Sequence, residues 1–352
     1  MTGQPAYLKG RGAQINPPNR FDQHVYDSDP TVSLDDDEKL TTEYIDVFPK
    51  TMLNKVDSPD IPLDWSLNPY QGCEHGCIYC YARNTHNYWG YSAGTDFEQK
   101  ILVKKNAAEL VEQKIKHPNW KASPLMLSGN TDCYQPIEKK LEITRSILEV
   151  LWKYRHPVGI ITKNSLILRD IDILKKMADN HLVHVSISVT TLDEDLRRVL
   201  EPRTASVQSR LFTIEKLSAQ GIPVNVMFAP VIPSLNDHEV FKVAEWTSKL
   251  GARSMGYTSV RLNGDVAVIF EDWLRKNFPD RAEKVMNKIK ANHGGSLNDS
   301  QFGRRMRGEG QFAEIFRSQF HLARKKFFEG KETPPYNLEL HEQMKNPQLS
   351  LF

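Results

Sequence analysis

The stretch GCEHGCIYCYAR, residues 72–83, places three cysteines within eight positions of a chain that has only four. The spacing is Cys73-x3-Cys77-x2-Cys80, and Tyr79 stands directly before the last thiol. Three clustered cysteines and one distant cysteine do not form a disulfide framework. In a reducing compartment such a cluster indicates metal binding or redox chemistry.

The sequence around this stretch alternates short apolar segments with longer amphipathic ones. The predicted strands are SLNPY (66–70), PLMLSG (124–129), VGIITK (158–163), VHVSISV (183–189), VNVMFAPV (224–231) and SMGYTSV (254–260). The predicted helices between and after them are 137–154, 166–178, 209–223, 237–251, 265–292 and 311–330. Strands that alternate with helices indicate an α/β fold with a parallel sheet and right-handed crossovers. Six such units predict an open sheet or a partial (β/α)6 barrel with a helical C-terminal extension.

The cysteine stretch directly follows the first predicted strand, and chemistry in such folds lies at the C-terminal ends of the strands. A structural zinc site needs four protein ligands, and His75 or Cys133 could complete one here. An iron–sulfur cube held by three cysteines instead keeps one iron free of protein ligands, and a small molecule can bind there. The position after the first strand favours the cube.

The motif Cys73-x3-Cys77-x2-Cys80 with Tyr79 resembles the signature of radical S-adenosylmethionine (SAM) enzymes. The segments NPYQGCEHGCIYCYAR, TDCYQPIE and GRRMRGEGQFAEI resemble the spore photoproduct lyase-like group, also called DNA-repair photolyase-like. The resemblance covers roughly residues 60–320. It implies a partial (β/α)6 radical SAM barrel, a [4Fe–4S] cluster on the three cysteines, SAM on the open iron, and a 5′-deoxyadenosyl radical that abstracts hydrogen.

Strand order and this resemblance together suggest how SAM is held. We expect the loop after the second predicted strand to bind the ammonium group, and Lys163 at the end of the third to bind the carboxylate. We expect the fourth predicted strand to bind the ribose and the end of the fifth to bind the adenine. The expected cofactor-binding residues are Ser128, Gly129, Asn130, Lys163, Ser186, Ser188 and Ala229.

Cys133 has two interpretations. A free cysteine is most often a small buried hydrophobic residue. Its loop after the second predicted strand should also face the cluster, and spore photoproduct lyases have a further cysteine that returns hydrogen to the product radical. Cys133 is therefore also the candidate catalytic residue.

The segment FGRRMRGEG (302–310) concentrates arginines among glycines. Arginine binds phosphate with two parallel hydrogen bonds, so this segment is the candidate nucleic-acid contact, through Arg304, Arg305 and Arg307. The alternative is a solvated turn or an internal salt-bridge hub that includes Glu309.

The chain ends in QLSLF, an apolar peptide after a polar segment. It resembles the pentapeptide with which bacterial polymerases and repair proteins bind the sliding clamp. The resemblance implies that Gln348 makes polar contacts and that Leu349, Leu351 and Phe352 enter an apolar pocket. Clamp binding would favour DNA as the substrate.

Composition narrows the remaining possibilities. The net charge of +2 is too small to predict nucleic-acid binding from bulk charge, so such a surface must be local. No run of about 18 apolar residues and no secretory leader is evident, so we expect a cytoplasmic protein. The expected segments are a polar N-terminal extension (1–55), the barrel (56–262), a helical C-terminal region (263–330) and a flexible tail (331–352).

These observations predict a radical SAM enzyme acting on a damaged or modified base in DNA, with a photoproduct-lyase-like repair reaction as its most specific form. Its expected partners are DNA, the sliding clamp, and an electron donor such as flavodoxin or ferredoxin. Two alternatives remain open: radical SAM modification of RNA or protein, and a non-catalytic clamp adaptor that contains zinc.

Overall fold

The fold is built on two sheets, seen in a computed structural model that describes residues 7–21, 41–61 and 63–345. The strands are β1 Glu43–Val47, β2 Leu53–Lys55, β3 Trp65–Leu67, β4 Tyr70–Gln71, β5 Lys100–Lys104, β6 Leu125–Leu127, β7 Val158–Thr162, β8 Val183–Ser188, β9 Val224–Val231 and β10 Ser254–Ser259. The α-helices are α1 Asp96–Gln99, α2 Ala107–Ile115, α3 Glu138–Leu141, α4 Ile143–Lys153, α5 Ile171–Ala178, α6 Glu194–Leu200, α7 Val207–Ala219, α8 Val240–Lys249, α9 Asp265–Asn277, α10 Ala282–Asn292, α11 Gly310–Phe328 and α12 Glu339–Lys345. Short 3-10 helices span Tyr81–Trp89, Ser165–Asp170, Asp237–Glu239 and Pro279–Arg281.

The larger sheet has seven strands in the order β10-β9-β8-β7-β6-β3-β2. Its six strands from β3 to β10 are paired in parallel, while β2 pairs antiparallel with β3 at the edge. These six strands are the predicted ones, which confirms the α/β prediction of a partial (β/α)6 barrel. The first is shorter than predicted, because Tyr70–Gln71 pairs with β5 of the smaller sheet, β1-β5-β4.

Each parallel strand has one face toward the helices and one toward the interior of the barrel. In β8, Val183, Val185 and Ile187 are buried in the main hydrophobic core, whereas His184 and Ser186 point the other way and are half-buried. Alternate residues of a strand face opposite sides, so this pattern repeats along the sheet. Polar side chains therefore line the interior of the barrel.

Two predicted helices are interrupted. The segment 137–154 breaks at Glu142, whose backbone has a φ of 52°, outside the helical range. The segment 265–292 breaks where Phe278 precedes Pro279, because a residue before proline is disfavoured in helical geometry.

The C-terminal helices pack against the barrel and the cysteine loop. Helix α11 lies on α8 and β10. The fully buried Trp273 of α9 shares a hydrophobic cluster with Ile78 of the cysteine loop, and its indole Nε1 donates to the carbonyl of Val199 at 2.9 Å. The helical extension is therefore part of the support of the cysteine loop.

The expectation of a flexible segment after residue 330 is wrong for residues 331–345. Tyr336 stacks on His184 with ring centroids 3.9 Å apart, at the N-terminal end of the barrel strands. His341 of α12 is fully buried, and Lys345 donates to the backbone carbonyl of Trp120. Burial of an aromatic ring and an imidazole offsets the entropy that a polar segment loses on ordering. Residues 346–352 lie outside the described part of the chain.

The N-terminal extension also packs where it is described. Ala13 is fully buried, and β1 pairs in parallel with β5 along its whole length. Among the described residues, no helix is long and apolar enough to cross a membrane.

Candidate cluster and cofactor site

The cysteine loop follows β4 and is shaped by two glycines. Gly72 and Gly76 have φ values of 80° and 67°, a region that favours glycine. A Cβ atom on Gly72 would lie 2.7 Å from the carbonyl oxygen of Lys100, and one on Gly76 would lie 2.8 Å from the Glu98 carboxylate. The loop therefore needs glycine at both positions to pack this closely against α1 and β5.

The three thiols lie together on this loop. Cys73 and Cys77 are buried, and Cys80 is partly buried. Cys77 lies close enough to Cys80 and Cys73 to interact electrostatically with both. Burial raises the pKa of the Cys77 and Cys80 thiols, and the positive charge of Lys163 opposes this for both. Bound iron would act in the same direction as Lys163, since a coordinated thiol is deprotonated.

The donor set fits a cluster better than a single ion. Among the described residues, no three His, Cys, Asp or Glu side chains are grouped closely enough to share one metal ion. A zinc ion needs all four ligands about 2.0–2.3 Å from one point. Three cysteine thiols on one loop are the donor set of an iron–sulfur cube with one open iron, so the chemistry of the donors fits the cluster.

The two other polar residues of the loop anchor it to neighbouring loops. Glu74 is fully buried and accepts hydrogen bonds from the backbone N–H of Ile137 at 2.8 Å and from Arg203 at 3.2 Å. His75 lies 3.3 Å from Asp132 through Nδ1 and 3.2 Å from Asn164 through Nε2. His75 is thus engaged by protein partners, which does not favour the zinc alternative that assigned it to a metal.

The His75–Asp132 pair is a charged one. Burial lowers the pKa of His75, but the charges of Asp132 and Cys73 outweigh it and raise that pKa to about 10. Burial also opposes ionisation of Asp132, yet His75, the Lys163 N–H and the Thr162 hydroxyl lower its pKa to about 2. The pair fixes the cysteine loop to the end of β7.

A buried network stands behind the loop. Tyr79 donates its hydroxyl to the Glu201 carboxylate, which also accepts from Thr190 at 2.7 Å and from Arg210. Burial raises the pKa of Glu201, but Arg210 and Lys163 outweigh it and lower that pKa to about 2. The backbone N–H of Ile78 donates to the carbonyl of Leu200 at 3.1 Å. The segment Leu200–Glu201 therefore holds the cysteine loop in two ways, through the side chain of Tyr79 and through the backbone of Ile78.

The N-terminal segment covers the other side of the loop. The fully buried Arg83 donates to the carbonyl of Cys77 at 3.0 Å and to Glu98 at 2.5 Å. Glu98 also accepts from the N–H groups of Gly12 at 3.0 Å and Ala13 at 2.8 Å. A Cβ atom on Gly12 would overlap the carbonyl oxygen of Gly76.

The C-terminal ends of the strands bring the predicted cofactor residues to one level. Thr162 of β7 pairs with Ile187 of β8, so the next residues, Lys163 and Ser188, lie side by side. The Lys163 N–H donates to Asp132 at 2.8 Å, and its ammonium group lies 5.9 Å from the centre of the Tyr79 ring. Neither an ion pair nor a side-chain hydrogen bond joins Lys163 to any other described residue.

Lys163 is therefore a cation at the barrel mouth without a hydrogen-bonded counterion in the part of the chain that the structure describes. Burial lowers its pKa, but the negative charges of Cys77 and Glu201 outweigh it and raise that pKa. A lysine that stays charged and has free donors can bind a carboxylate. This fits the expected role toward SAM.

The loop Ser128-Gly129-Asn130 turns directly over the cysteine loop. Tyr81, the residue after Cys80, donates its hydroxyl to the carbonyl of Gly129. Asn130 donates weakly to Gln71 and Thr85, each at 3.4 Å. Ser128 has a φ of 75° and accepts from the Cys133 N–H at 2.7 Å. The hydroxyl of Ser128 thus has a structural partner, while the Gly129 and Asn130 positions lie beside the cysteines; their role toward SAM stays a prediction.

The residues expected near ribose and adenine lie along β8 and β9. Ser186 is half-buried on the interior face, and Ser188 is buried with its carbonyl accepting from Arg210 at 3.0 Å. Ala229 is half-buried, and its carbonyl accepts from Thr190 at 3.0 Å. Ser186 therefore lies on the strand face that is turned toward the interior of the barrel. The cofactor roles of Ser186, Ser188 and Ala229 remain predictions.

Cys133 is a fully buried member of the main hydrophobic core. Its backbone carbonyl accepts from Thr144 at 2.7 Å, and burial raises its thiol pKa. The structure thus places it as a core thiol, and a hydrogen-donor role stays a prediction.

The Arg/Gly-rich segment is largely engaged in ion pairs. Arg304 pairs with Asp299 at 2.5 Å and Glu309 at 2.9 Å, and Arg305 pairs with Asp60 at 2.5 Å. Arg307 lies 5.6 Å from the centre of the Tyr257 ring and forms no ion pair with the described residues. This geometry favours the salt-bridge interpretation for Arg304 and Arg305, and it leaves Arg307 as the candidate phosphate contact.

Several supporting residues carry no sequence signal that could have placed them. Glu201, Arg210, Glu98 and Arg83 look like ordinary charged residues of helices and loops in the sequence. Charged residues are almost never fully buried unless they are paired, but the sequence does not show which of them are buried. Pairing depends on which loops meet, and this is not readable from local pattern.

Comparisons with known proteins agree with this geometry. The family model of the radical SAM superfamily matches residues 67–247. An uncharacterized protein of Mycobacterium tuberculosis is 32% identical over 238 residues, which cover 67% of this chain and 70% of that protein. An uncharacterized protein of Methanocaldococcus jannaschii is 28% identical over 246 residues, 70% of this chain and 88% of that protein.

Among solved structures, spore photoproduct lyase complexed with dinucleoside spore photoproduct has a similar fold. The TM-score is 0.60 at 14% sequence identity, over 82% of this chain and 80% of the lyase chain. Since the family match spans half of the chain and includes all three clustered cysteines, the chain belongs to the radical SAM superfamily, whose members use a [4Fe–4S] cluster and SAM.

Proposed function

We propose that this radical SAM enzyme abstracts hydrogen from a damaged or modified base in DNA. The observation that carries the proposal is the barrel mouth, where three clustered thiols lie beside Lys163, whose ammonium group forms no ion pair or hydrogen bond with the described residues. The choice of DNA is supported by the fold, which is similar to that of a lyase complexed with a dinucleoside photoproduct.

The protein's own groups have distinct tasks in this reaction. When bound, the cluster and SAM together supply a 5′-deoxyadenosyl radical through reductive cleavage of the sulfonium, with an electron from a flavodoxin or ferredoxin. Cys73, Cys77 and Cys80 would hold three irons of the cluster. Lys163 would orient the carboxylate of SAM, and the Ser186 hydroxyl would bind the ribose. The loop contacts of Glu74, His75 and Tyr79 keep the thiols in place.

The interior of the barrel is suited to accept a base. Its half-buried lining includes small and polar side chains, among them Ser66, Ser186, Ala229 and Thr258. A base in duplex DNA must leave the stack to enter such an interior, at a cost of a few kcal/mol that is lowest for a damaged base. This favours lesions over intact bases as substrates.

The test is an anaerobic assay of the reconstituted full chain with SAM, reductant and ultraviolet-irradiated DNA. We expect 5′-deoxyadenosine together with altered nucleosides, both absent from the Cys77→Ala variant. Irradiated RNA and a peptide mixture serve as matched substrates for the two alternatives. Turnover of either of these, with DNA left unchanged, would contradict the DNA proposal.

We also propose recruitment by the sliding clamp through Gln348–Phe352, which lie outside the described residues. The support for this proposal is the sequence QLSLF itself, which begins three residues after Lys345, the end of α12. Deletion of residues 348–352 should abolish co-elution with the clamp and leave SAM cleavage intact. Undiminished co-elution would show that the peptide is not the docking element.

A further inference from the structure

An exposed aromatic cluster lies at the far end of the 3-10 helix that begins after Cys80. It consists of Arg20, Phe21 and Tyr88, which contact one another, and of Trp89, which follows Tyr88 in the chain, and we call these four residues the aromatic platform. The exposed fractions of its three rings are 52% for Phe21, 71% for Tyr88 and 44% for Trp89. Single exposed aromatics are common, but adjacent ones mark binding surfaces.

The platform contains a guanidinium stacked among its rings. Arg20 lies 4.8 Å from the centre of the Phe21 ring and 5.6 Å from that of Tyr88. The Phe21 and Tyr88 rings are 5.1 Å apart. Arg20 is exposed and forms no ion pair with a carboxylate among the described residues. Its positive charge is therefore available to a ligand.

Buried amides hold the platform in one geometry. Asn19 is buried and donates to the carbonyl of Asn87 at 2.9 Å, while its own side-chain oxygen accepts from the Phe21 N–H at 2.9 Å. Asn87 is buried too and donates to Asp265 at 2.6 Å, at the start of α9. A surface ordered before binding loses less entropy when it takes a ligand.

We propose that the aromatic platform binds unpaired nucleotides that flank the base in the barrel, by stacking them on Tyr88, Trp89 and Phe21. Exposed rings with an interleaved arginine are the chemistry by which proteins hold single-stranded nucleic acid, since every base has a face that stacks and every phosphate a charge. The inference rests on the proposed nucleic-acid substrate and adds a second contact surface to it.

The distance sets which nucleotides reach the platform. The helix Tyr81–Trp89 has nine residues, and a 3-10 helix rises about 2 Å per residue, so Tyr88 and Trp89 lie about 16–18 Å from Cys80 along the helix axis. Stacked nucleotides are spaced about 3.4 Å apart along one strand, so the platform receives bases about five positions from the reacting one. A dinucleotide is too short to reach it.

The experiment measures binding of a fluorescent 20-nucleotide single-stranded DNA to the anaerobically reconstituted full chain. The variants Tyr88→Ala and Trp89→Ala should each weaken binding about five- to a hundredfold. Arg20→Gln should reduce the slope of log affinity against log salt concentration by about one, as expected for the loss of one phosphate contact. The control is Trp246→Ala on α8, whose ring is 41% exposed and lies 5.0 Å from the Lys242 ammonium group. Its binding should match the wild type.

Each outcome decides between the two proposals. Wild-type-like binding by Tyr88→Ala and Trp89→Ala, or equal loss in Trp246→Ala, would overturn the platform. If the enzyme converts a dinucleotide lesion but the wild type does not bind the 20-mer, the platform is wrong and the proposed function stands. If the variants lose binding as expected but no nucleic acid is converted, the proposed function is wrong and the platform stands.

Discussion

The buried pair Glu201–Arg210 behind the cysteine loop gives the sharpest stability prediction. Both side chains are nearly inaccessible, and Glu201 also holds the hydroxyl of Tyr79. The substitution Glu201→Gln keeps the shape and the hydrogen-bonding oxygen but removes the charge. Arg210 and the nearby Lys163 then remain as buried cations without a carboxylate between them.

The size of the effect follows from the structure. Removing one partner of a buried ion pair costs about 3–5 kcal/mol. The lowering of the Glu201 pKa from 4.5 to about 2 corresponds to about 3 kcal/mol, in agreement. The entropy of unfolding is about 2.1 cal/mol/K per residue, which for 352 residues makes about 4 kcal/mol equivalent to about 5 °C in Tm.

The assay is thermal unfolding of the anaerobic full chain, as Glu201→Gln, Arg210→Met and the double variant. Each single variant should lower Tm by several degrees, and the double variant should lose less than the two losses added together, because it removes the unpaired charge of Arg210 as well. An unchanged Tm in Glu201→Gln would show that the charge of Glu201 does not stabilise the fold. Strict additivity of the two losses would refute the direct coupling.

Four further outcomes are expected. Cys77→Ala should abolish reductive cleavage of SAM, and full cleavage by that variant would remove its assigned role. Lys163→Met should weaken SAM binding by about tenfold or more with iron content unchanged, since a hydrogen bond to a charged group contributes about 1.5–3 kcal/mol; equal affinity in calorimetry would contradict this. Gly12→Ala should lower iron retention, whereas Gly10→Ala should not, because its added Cβ would meet no atom within 4 Å and its φ of 79° adds only local backbone strain. Equal loss of iron from the two variants would argue against the N-terminal cover. Burial lowers the pKa of His156 from 6.5 to about 3. The neutral buried imidazole therefore contributes its full stability above pH 6.5, and this contribution is lost as the pH falls, because the unfolded chain then binds a proton that the folded chain does not. The Tm of the wild type should drop more between pH 7 and 5 than that of His156→Gln.

The barrel and the loop that carries the cysteines could be predicted from local sequence patterns alone. The six parallel strands were readable because apolar runs between amphipathic segments are a local pattern. The cysteine spacing was readable because all three thiols belong to one short loop. The C-terminal edge was then implied by the topology, so Lys163 and Ser188 could be assigned to the ends of the third and fourth predicted strands; the register that puts them side by side comes from the structure.

The partners of the charged and polar groups could be identified only in the folded chain. It paired Arg305 with Asp60, put Cys133 into the core, docked the segment around Tyr336 on the barrel, and placed Glu201 behind Tyr79. Each of these contacts joins residues far apart in the chain. A charged residue has the same local pattern whether it faces water or a buried counterion, so its role is set by which distant segment folding brings against it.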